Sequence, residues 1–201
     1  MGRSVSSAGG PALVLASTSV YRRRLLERLG LPFECVAPGI DETRLASESP
    51  ATLATRLARA KALAVTRRRN EAIVIGSDQV ALRGEQVLGK PGDAERCARE
   101  LAASSGRELT FLTAVCVVAP GGTPTYEHTD RTIVQMRMLD DAEIARYVAR
   151  DRPWDCAGGF KVESLGVALV NRVETGDPTA LTGLPLIWLA GVLRDCGLSV
   201  P

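Results

Sequence analysis

The chain has 201 residues, 45% of them hydrophobic and 24% charged, which suits one sizeable domain or two small, closely packed lobes and excludes a disordered or collagen-like chain. Its 25 basic and 23 acidic residues leave a net charge of +2, so no global field favours a polyanion such as nucleic acid, and any anion site has to be local. Apolar runs such as Leu13–Ala16 and Leu184–Ala190 fall far short of the roughly 20 residues that cross a bilayer. The opening MGRSVSSAGG has no apolar core of a secretory signal, so residues 1–10 are expected to be a flexible extension of a cytoplasmic protein whose single domain is 11–201.

In chain order, ALVLAS from Ala12 reads as a short buried strand, and SVYRRRLLERLG as a helix with Leu25, Leu26 and Leu29 on one face and Gly30 as its stop. Pro32–Val36 resembles a second strand, followed by the irregular APGIDETRLASES. Ser49 and Pro50 look like the N-cap and first position of a helix that runs to about Asn70. Its apolar stripe is Leu53, Leu57, Ala60 and Ala64, with Arg56, Arg59 and Lys61 off it. Ala72–Ile75 is expected to be a buried strand ended by Gly76, and Val80–Leu82 with Gln86–Leu88 a hairpin around Arg83-Gly84-Glu85. Asp93 caps a helix to about Ala103. Leu109–Val118 and Thr129–Met138 look like long antiparallel strands joined through APGGTP. Asp140 and Glu143 form a capping box for an amphipathic helix, Val167–Val173 reads as a strand, and Leu184–Cys196 as a terminal helix. The sum is a mixed α/β unit with an elongated, partly antiparallel sheet.

Cys35, Cys97, Cys116, Cys156 and Cys196 are odd in number and scattered, which fits neither a disulfide framework nor a metal knuckle; they are expected to be small core hydrophobes. The single histidine, His128, lies in the polar TYEHTDR and is expected in a solvated loop or at a strand edge. Chemistry would then rest on carboxylates, lysines, arginines and a hard metal ion.

Several polar clusters could carry it. Ser17-Thr18-Ser19 before Tyr21-Arg22-Arg23-Arg24 places hydroxyls, guanidinium groups and a helix N-terminus together, either a phosphate cradle or a cap with a solvated basic face. Asp41-Glu42 in an irregular loop could hold a divalent cation or simply be a surface acid pair. Gly76-Ser77-Asp78-Gln79 directly follows a buried strand, where an aspartate can orient water, hold a metal or form a turn. GEQVLGK fits seven positions of a phosphate-binding P-loop, but Pro91 replaces the hydroxyl residue and the flanking pattern is strand-like, which rejects that motif and leaves Lys90 as a phosphate ligand or a turn lysine. Arg67-Arg68-Arg69, Asp140-Asp141 and Asp177-Pro178 have structural readings. CAGGFKVE pairs two glycines with Lys161 and Glu163, and alone reads as a glycine turn.

In order, LASTSVYRRRLL, IDE, RLARAKA, IGSDQV, LGKP, YVARDRPWDCAGGFKVES and LTGLPL resemble the Maf family of nucleotide pyrophosphatases from about Ala12 to Gly197. Tyr21, Gln79 and Glu163 resemble its 7-methyl-GTP subgroup; the dTTP/UTP subgroup carries Arg, Thr and Gln there. Val20 stands where the family usually has proline, and Tyr21 where near relatives carry tryptophan. The resemblance implies a fold related to inosine triphosphate pyrophosphatases: a long mixed sheet flanked by helices, with a cleft between two lobes, usually in a homodimer. It implies cleavage of a nucleoside triphosphate to monophosphate and pyrophosphate, with Mg²⁺, Mn²⁺ or Co²⁺ as cofactor. It gives Asp78 as proton acceptor, Ser17, Arg22, Lys61 and Lys90 as phosphate ligands, Glu42 and Asp78 at the metal, and Tyr21, Gln79 and Glu163 at the base. Activity on dTTP and UTP, or a nucleotide-binding regulator of cell division with little turnover, are the competing expectations.

Overall fold

The computed structural model describes residues 10–201; residues 1–9 of the expected N-terminal extension lie outside them. A seven-stranded mixed sheet organises the chain. β1 (Leu13–Leu15) pairs in parallel with β2 (Glu34–Cys35) on one side and with β3 (Ile73–Arg83) on the other. Beyond β3 the sheet is antiparallel through β5 (Glu108–Val118), β6 (Thr125–Met136) and the edge strand β7 (Val170–Glu174), while β4 (Gln86–Leu88) returns on β3 as a hairpin.

Side chains alternate across this sheet. Val14, Val74, Ala114, Cys116 and Val118 face α2 (Pro50–Thr66). Leu13, Leu15, Ile73, Ile75, Val115 and Val117 face α1 (Val20–Glu27) and α5 (Leu186–Asp195). Further along the second face, Leu109, Phe111, Val134 and Met136 pack on α3 (Ala94–Ser104) and α4 (Asp141–Asp151). Two apolar clusters on one face, with polar Ser77, Gln79 and Thr113 in the stretch between them, give the two lobes.

The helix ends follow local chemistry. Ser19, Ser49 and Asp93 each accept a hydrogen bond from the first turn, Pro50 starts α2, and Asp140 with Glu143 closes the capping box of α4; each such cap contributes about 1 kcal/mol.

Five expectations change. Gly76 does not end a strand: β3 runs unbroken through Gly76-Ser77-Asp78-Gln79, and the glycine is there because α2 crosses it. A Cβ at Gly76 would lie 2.2 Å from the Ala58 carbonyl oxygen and 2.5 Å from the Ala62 amide. On α2 the buried face is Leu53, Ala54, Leu57, Ala58, Lys61, Ala62 and Val65, so Lys61 lies on the apolar stripe while Ala60 and Ala64 are only half-buried, and the helix ends at Thr66. Leu165–Leu169 is a 3₁₀ turn, with the strand starting at Val170. His128 sits within β6, half-buried, its ring stacked 5.2 Å from that of Trp188. Of the cysteines, Cys97 and Cys116 are core residues, but Cys35 is exposed and Cys156 and Cys196 are half-buried.

Candidate active site

β1 pairs with β3 only as far as Ile75, and β4 only from Ala81 onward. Between them, residues 76–80 of β3 hydrogen-bond to β5 on one side and have no strand on the other. This gap in the sheet, just past the carboxyl end of β1, is where a ligand is expected in an α/β fold. Asp78 stands in its middle. It is therefore a buried strand residue, 7% exposed, not part of a turn.

A cleft of about 590 Å³ opens on the gap. It brings together Ser17, Tyr21, Arg22, Glu42, Lys61, Asp78, Gln79 and Lys90, eight candidates drawn from five separate stretches of sequence. Lys61 Nζ lies 2.7 Å from Asp78 Oδ1 and 2.8 Å from Glu42 Oε1. A lysine reaching this far under the sheet needs a buried counter-charge, which Asp78 supplies and which accounts for its place on an apolar helix face; Glu42 adds a second carboxylate and leaves the trio one negative charge in excess.

Ser17, 5% exposed at the end of β1, accepts from the Ser19 amide at 3.1 Å, which shapes the turn into α1. Arg22 in the first turn of α1 donates from Nε to the Gly183 carbonyl at 3.0 Å, and Ser77 Oγ donates to the same oxygen at 2.8 Å. Desolvation pushes the Arg22 guanidinium down, opposed by the charges of Asp78 and Glu42; it stays a cation. Lys90 is exposed, between exposed Gly89 and buried Pro91, and the segment is tied to the glycine turn by the Gly158 amide donating to the Gly89 carbonyl.

The cleft continues into a recess of about 120 Å³ that adds Glu163 and shares Tyr21, Gln79, Lys90 and Asp155. Gln79 donates from Nε2 to Thr113 Oγ1 and to the carbonyls of Ala180 and Leu181, at 2.9, 3.1 and 3.0 Å. Its amide nitrogen is thereby engaged, leaving Oε1 as the group to offer a ligand. Tyr21 donates its hydroxyl to Asp155 Oδ2 at 2.9 Å, and Lys161 lies 3.2 Å from Asp155 Oδ1 and 5.6 Å above the Tyr21 ring. Burial, with Asp155 beside it, pushes the Tyr21 phenol up to about 12. Burial works against charge on Lys161, but Tyr21 and Asp155 outweigh it and raise its pKa above that of an ordinary lysine. Desolvation raises the pKa of Glu163, although the side chain borders open water.

Asp155 is a site residue that sequence reasoning misses. Its partner Tyr21 is 134 residues away, and nothing in PWDCAGG marks the aspartate as different from a turn acid. Within Gly76-Ser77-Asp78-Gln79, Ser77 carries no local signal of its own role, since the Gly183 carbonyl it meets comes from the far end of the chain.

Among the described residues no group of three or more histidines, cysteines, aspartates and glutamates could hold a metal by itself. Glu42 and Asp78 nevertheless converge on one cation, the Lys61 ammonium. Two hard carboxylate oxygens facing one positive centre suit a divalent ion that completes its shell with water and phosphate.

The gap in the sheet, the hydroxyls of the β1–α1 turn and the convergent cations define an α/β protein with a polar, cation-lined cleft. Comparison with known sequences takes this further: the Maf-like protein family matches residues 12–196, and the chain belongs to that family. A 7-methyl-GTP pyrophosphatase of Alkalilimnicola ehrlichii is 51% identical over 187 residues, covering 93% of this chain and 94% of that protein. Proteins of the same designation from Xanthomonas campestris and Pseudomonas syringae are 50% and 48% identical, covering 95% of this chain and 99% and 100% of theirs. Among solved structures, the Staphylococcus aureus Ham1 protein is similar with a TM-score of 0.43 and 14% identity, over 62% of this chain and 71% of that one.

Proposed function

We propose that this chain hydrolyses 7-methyl-GTP to 7-methyl-GMP and pyrophosphate, removing a modified nucleotide from the pool. The observation that carries the reading is one continuous cleft with two chemically different ends. Arg22, Lys61 and Lys90 stand with Asp78 and Glu42 at the sheet gap, and Tyr21 and Glu163 stand at the recess. The designation shared by the relatives at about half identity supports the same substrate.

A nucleoside triphosphate carries about four negative charges near neutral pH, so breaking its α–β anhydride requires cations around the departing pyrophosphate. Arg22, Lys61, Lys90 and the Ser17 hydroxyl meet that demand. Asp78 offers an oxygen to a water approaching the α phosphorus, as proton acceptor; Lys61 engages its Oδ1 and orients the carboxylate. Glu42 and Asp78 would hold a divalent cation such as Mg²⁺, Mn²⁺ or Co²⁺, which supplies charge neutralisation on the phosphates.

At the other end, N7 methylation gives guanine a positive charge, attracted to an aromatic face by ~0.5–2 kcal/mol. Lys161 lies over one face of Tyr21, and the ring lines both cleft and recess, where in this reading it meets the base. The Glu163 carboxylate and Gln79 Oε1 accept from the guanine edge. A neutral pyrimidine offers neither interaction.

Phosphorus NMR and kcat/KM for 7-methyl-GTP, GTP, dTTP and UTP test the reading. The expected result is pyrophosphate release with 7-methyl-GTP preferred. Nucleoside diphosphate plus orthophosphate, or a preference for dTTP and UTP, would reject it. No helix among the described residues is long and apolar enough to cross a membrane. A cytoplasmic homodimer, twice the 21.4 kDa chain, belongs to the same proposal, and light scattering with cell fractionation checks it.

A further inference from the structure

Glu42 sits in the loop between β2 and α2, where residues 41–47 are all exposed. Its own side chain is 56% exposed, yet its carboxylate is held 2.8 Å from Lys61. Short-range hydrogen bonds do not fix such a loop in space: the Asp41 carboxylate accepts from the Thr43 amide and hydroxyl, which shapes the turn but touches nothing outside it.

Ile40 packs on the core just before the loop, and past Glu42 what ties the loop to the fold is one residue of α2. Arg56 donates from Nε to Glu48 Oε1 at 2.6 Å and from Nη2 to Glu48 Oε2 at 3.0 Å, and Nη2 also reaches the Thr43 carbonyl at 3.1 Å. One guanidinium thus grips the loop directly after Glu42 and again at its end. Glu48 is built for this. It is the one buried residue in 41–48, 7% exposed, and it also accepts from the Leu45 amide at 3.1 Å, while Arg44 closes the turn on the Glu48 carbonyl. Ser47 adopts a left-handed φ of 60° to bring Glu48 inward, a conformation a non-glycine residue keeps only where its surroundings enforce it.

Arg56 and Lys61 belong to the same helix, and that helix is pressed onto β3 at Gly76, two residues before Asp78. One rigid element therefore sets both the ammonium that Glu42 meets and the anchor of the loop that carries Glu42. We propose that the Arg56–Glu48 fork is a positioning device for Glu42, holding its carboxylate beside Asp78 where a divalent cation would bind. The inference rests on the reading of Glu42 and Asp78 as the cation's ligands. It assigns Arg56 and Glu48 no contact with substrate.

Mn²⁺ alone, titrated into the full chain and followed by electron paramagnetic resonance, is the test, with the wild type, Glu48→Gln, Glu42→Gln and the double variant. Removing partners that orient a ligating carboxylate typically costs 10–100-fold in metal affinity. Glu48→Gln is therefore expected to weaken Mn²⁺ binding by about tenfold, and the double variant to bind no more weakly than Glu42→Gln alone, because the fork acts only through Glu42. Circular dichroism checks folding, and if Glu48→Gln does not fold, Arg56→Lys, which keeps the charge and loses the two-point fork, takes its place. Wild-type affinity in the fork variant, an added loss on top of Glu42→Gln, or no Mn²⁺ binding by the wild type would each overturn the proposal. Failure of the wild type to release pyrophosphate from any nucleotide would instead remove the proposed reaction and leave this measurement readable.

Discussion

The two ends of the cleft are built differently. At the sheet gap, Asp78 comes from the middle of an 11-residue strand paired along its length to β5, and Lys61 from a 17-residue helix laid directly on that strand. At the recess, Asp155 and Glu163 come from turns and Lys161 from irregular chain between two 3₁₀ segments, while Tyr21 stands on a helix and Gln79 on β3. Lys61 and Asp78 are nearly sealed from water, whereas Asp155 and Glu163 are exposed. Bond cleavage requires groups held to within a fraction of an ångström in a low-dielectric setting. Choice of base requires only a face and a few acceptors, and loops can change these without disturbing the sheet.

Replacing Asp78 by Asn is the strongest way to break the contrast. The substitution keeps shape but removes the proton acceptor and leaves Lys61 with one carboxylate, and kcat is expected to fall by ~10²-fold or more with the circular dichroism spectrum unchanged. Lys90→Ala, at an exposed position, should instead act mainly by raising KM. Near-normal turnover in Asp78→Asn would place the catalytic centre elsewhere.

Gly76→Ala tests the rigidity itself. A methyl group 2.2 Å from the Ala58 carbonyl forces α2 away from β3, and overpacking of this kind costs ~1–3 kcal/mol. The midpoint of urea unfolding should drop accordingly, and activity should fall in the fraction that remains folded because Lys61 moves with α2. An unchanged midpoint would show that the helix has slack at this crossing.

Much of this was legible from neighbouring residues. The caps at Ser49, Asp93 and Asp140, the Arg83-Gly84-Glu85 hairpin and the long strand β5 follow from chemistry within a few positions and stand where the sequence places them, while β6 is present but runs Thr125–Met136, starting four residues earlier than the expected Thr129. The misreadings share a cause. Gly76 looks like a stop because its real partner, the backbone of α2, is 14 to 18 residues upstream in sequence. Lys61 looks like a surface residue because its two counter-charges lie on a loop and a strand that helical periodicity does not see. The grouping of Ser17, Glu42, Lys61, Asp78 and Lys90 comes from the resemblance to a family, not from spacing, since no local pattern joins five segments across a gap in a sheet.

Tyr21→Ala gives a smaller effect, confined to the base. Loss of the aromatic face is expected to reduce the preference for 7-methyl-GTP over GTP by about tenfold, within the range of a cation–π contact, with kcat on GTP little changed. The phenol offers a separate spectroscopic handle. All three tyrosines, Tyr21, Tyr126 and Tyr147, have raised pKa values because of burial. Ultraviolet titration should therefore show no group ionising at the ordinary value of about 10, and Tyr21→Phe should delete a component near 12. Since the native state keeps the Tyr21 proton to higher pH than the unfolded chain, this residue's share of stability is intact below pH 10 and is lost as the pH climbs toward 12.

Glu163→Gln is the subtlest test and sets function against stability within the recess. Desolvation raises the Glu163 pKa, with Lys161 pulling the other way and Asp151 and Asp155 adding to the rise. A carboxyl group whose pKa is raised on folding leaves stability untouched below its unfolded pKa and lowers it as pH rises through the folded one. At neutral pH the ionised Glu163 is thus a small liability in the free protein. The cationic base compensates that charge when it binds. The neutral amide should therefore unfold at a slightly higher temperature than wild type at pH 7. The gain should be no more than about 0.5 kcal/mol because water reaches this exposed side chain, and the difference should vanish near pH 4. The same substitution should lower kcat/KM for 7-methyl-GTP several-fold more than for GTP. Calorimetry at the two pH values, beside kinetics on the two nucleotides, reads both effects. A Gln variant less stable at pH 7 would mean that Lys161 dominates over desolvation. An equal loss on both nucleotides would mean that Glu163 supports the recess without reading the methylated base.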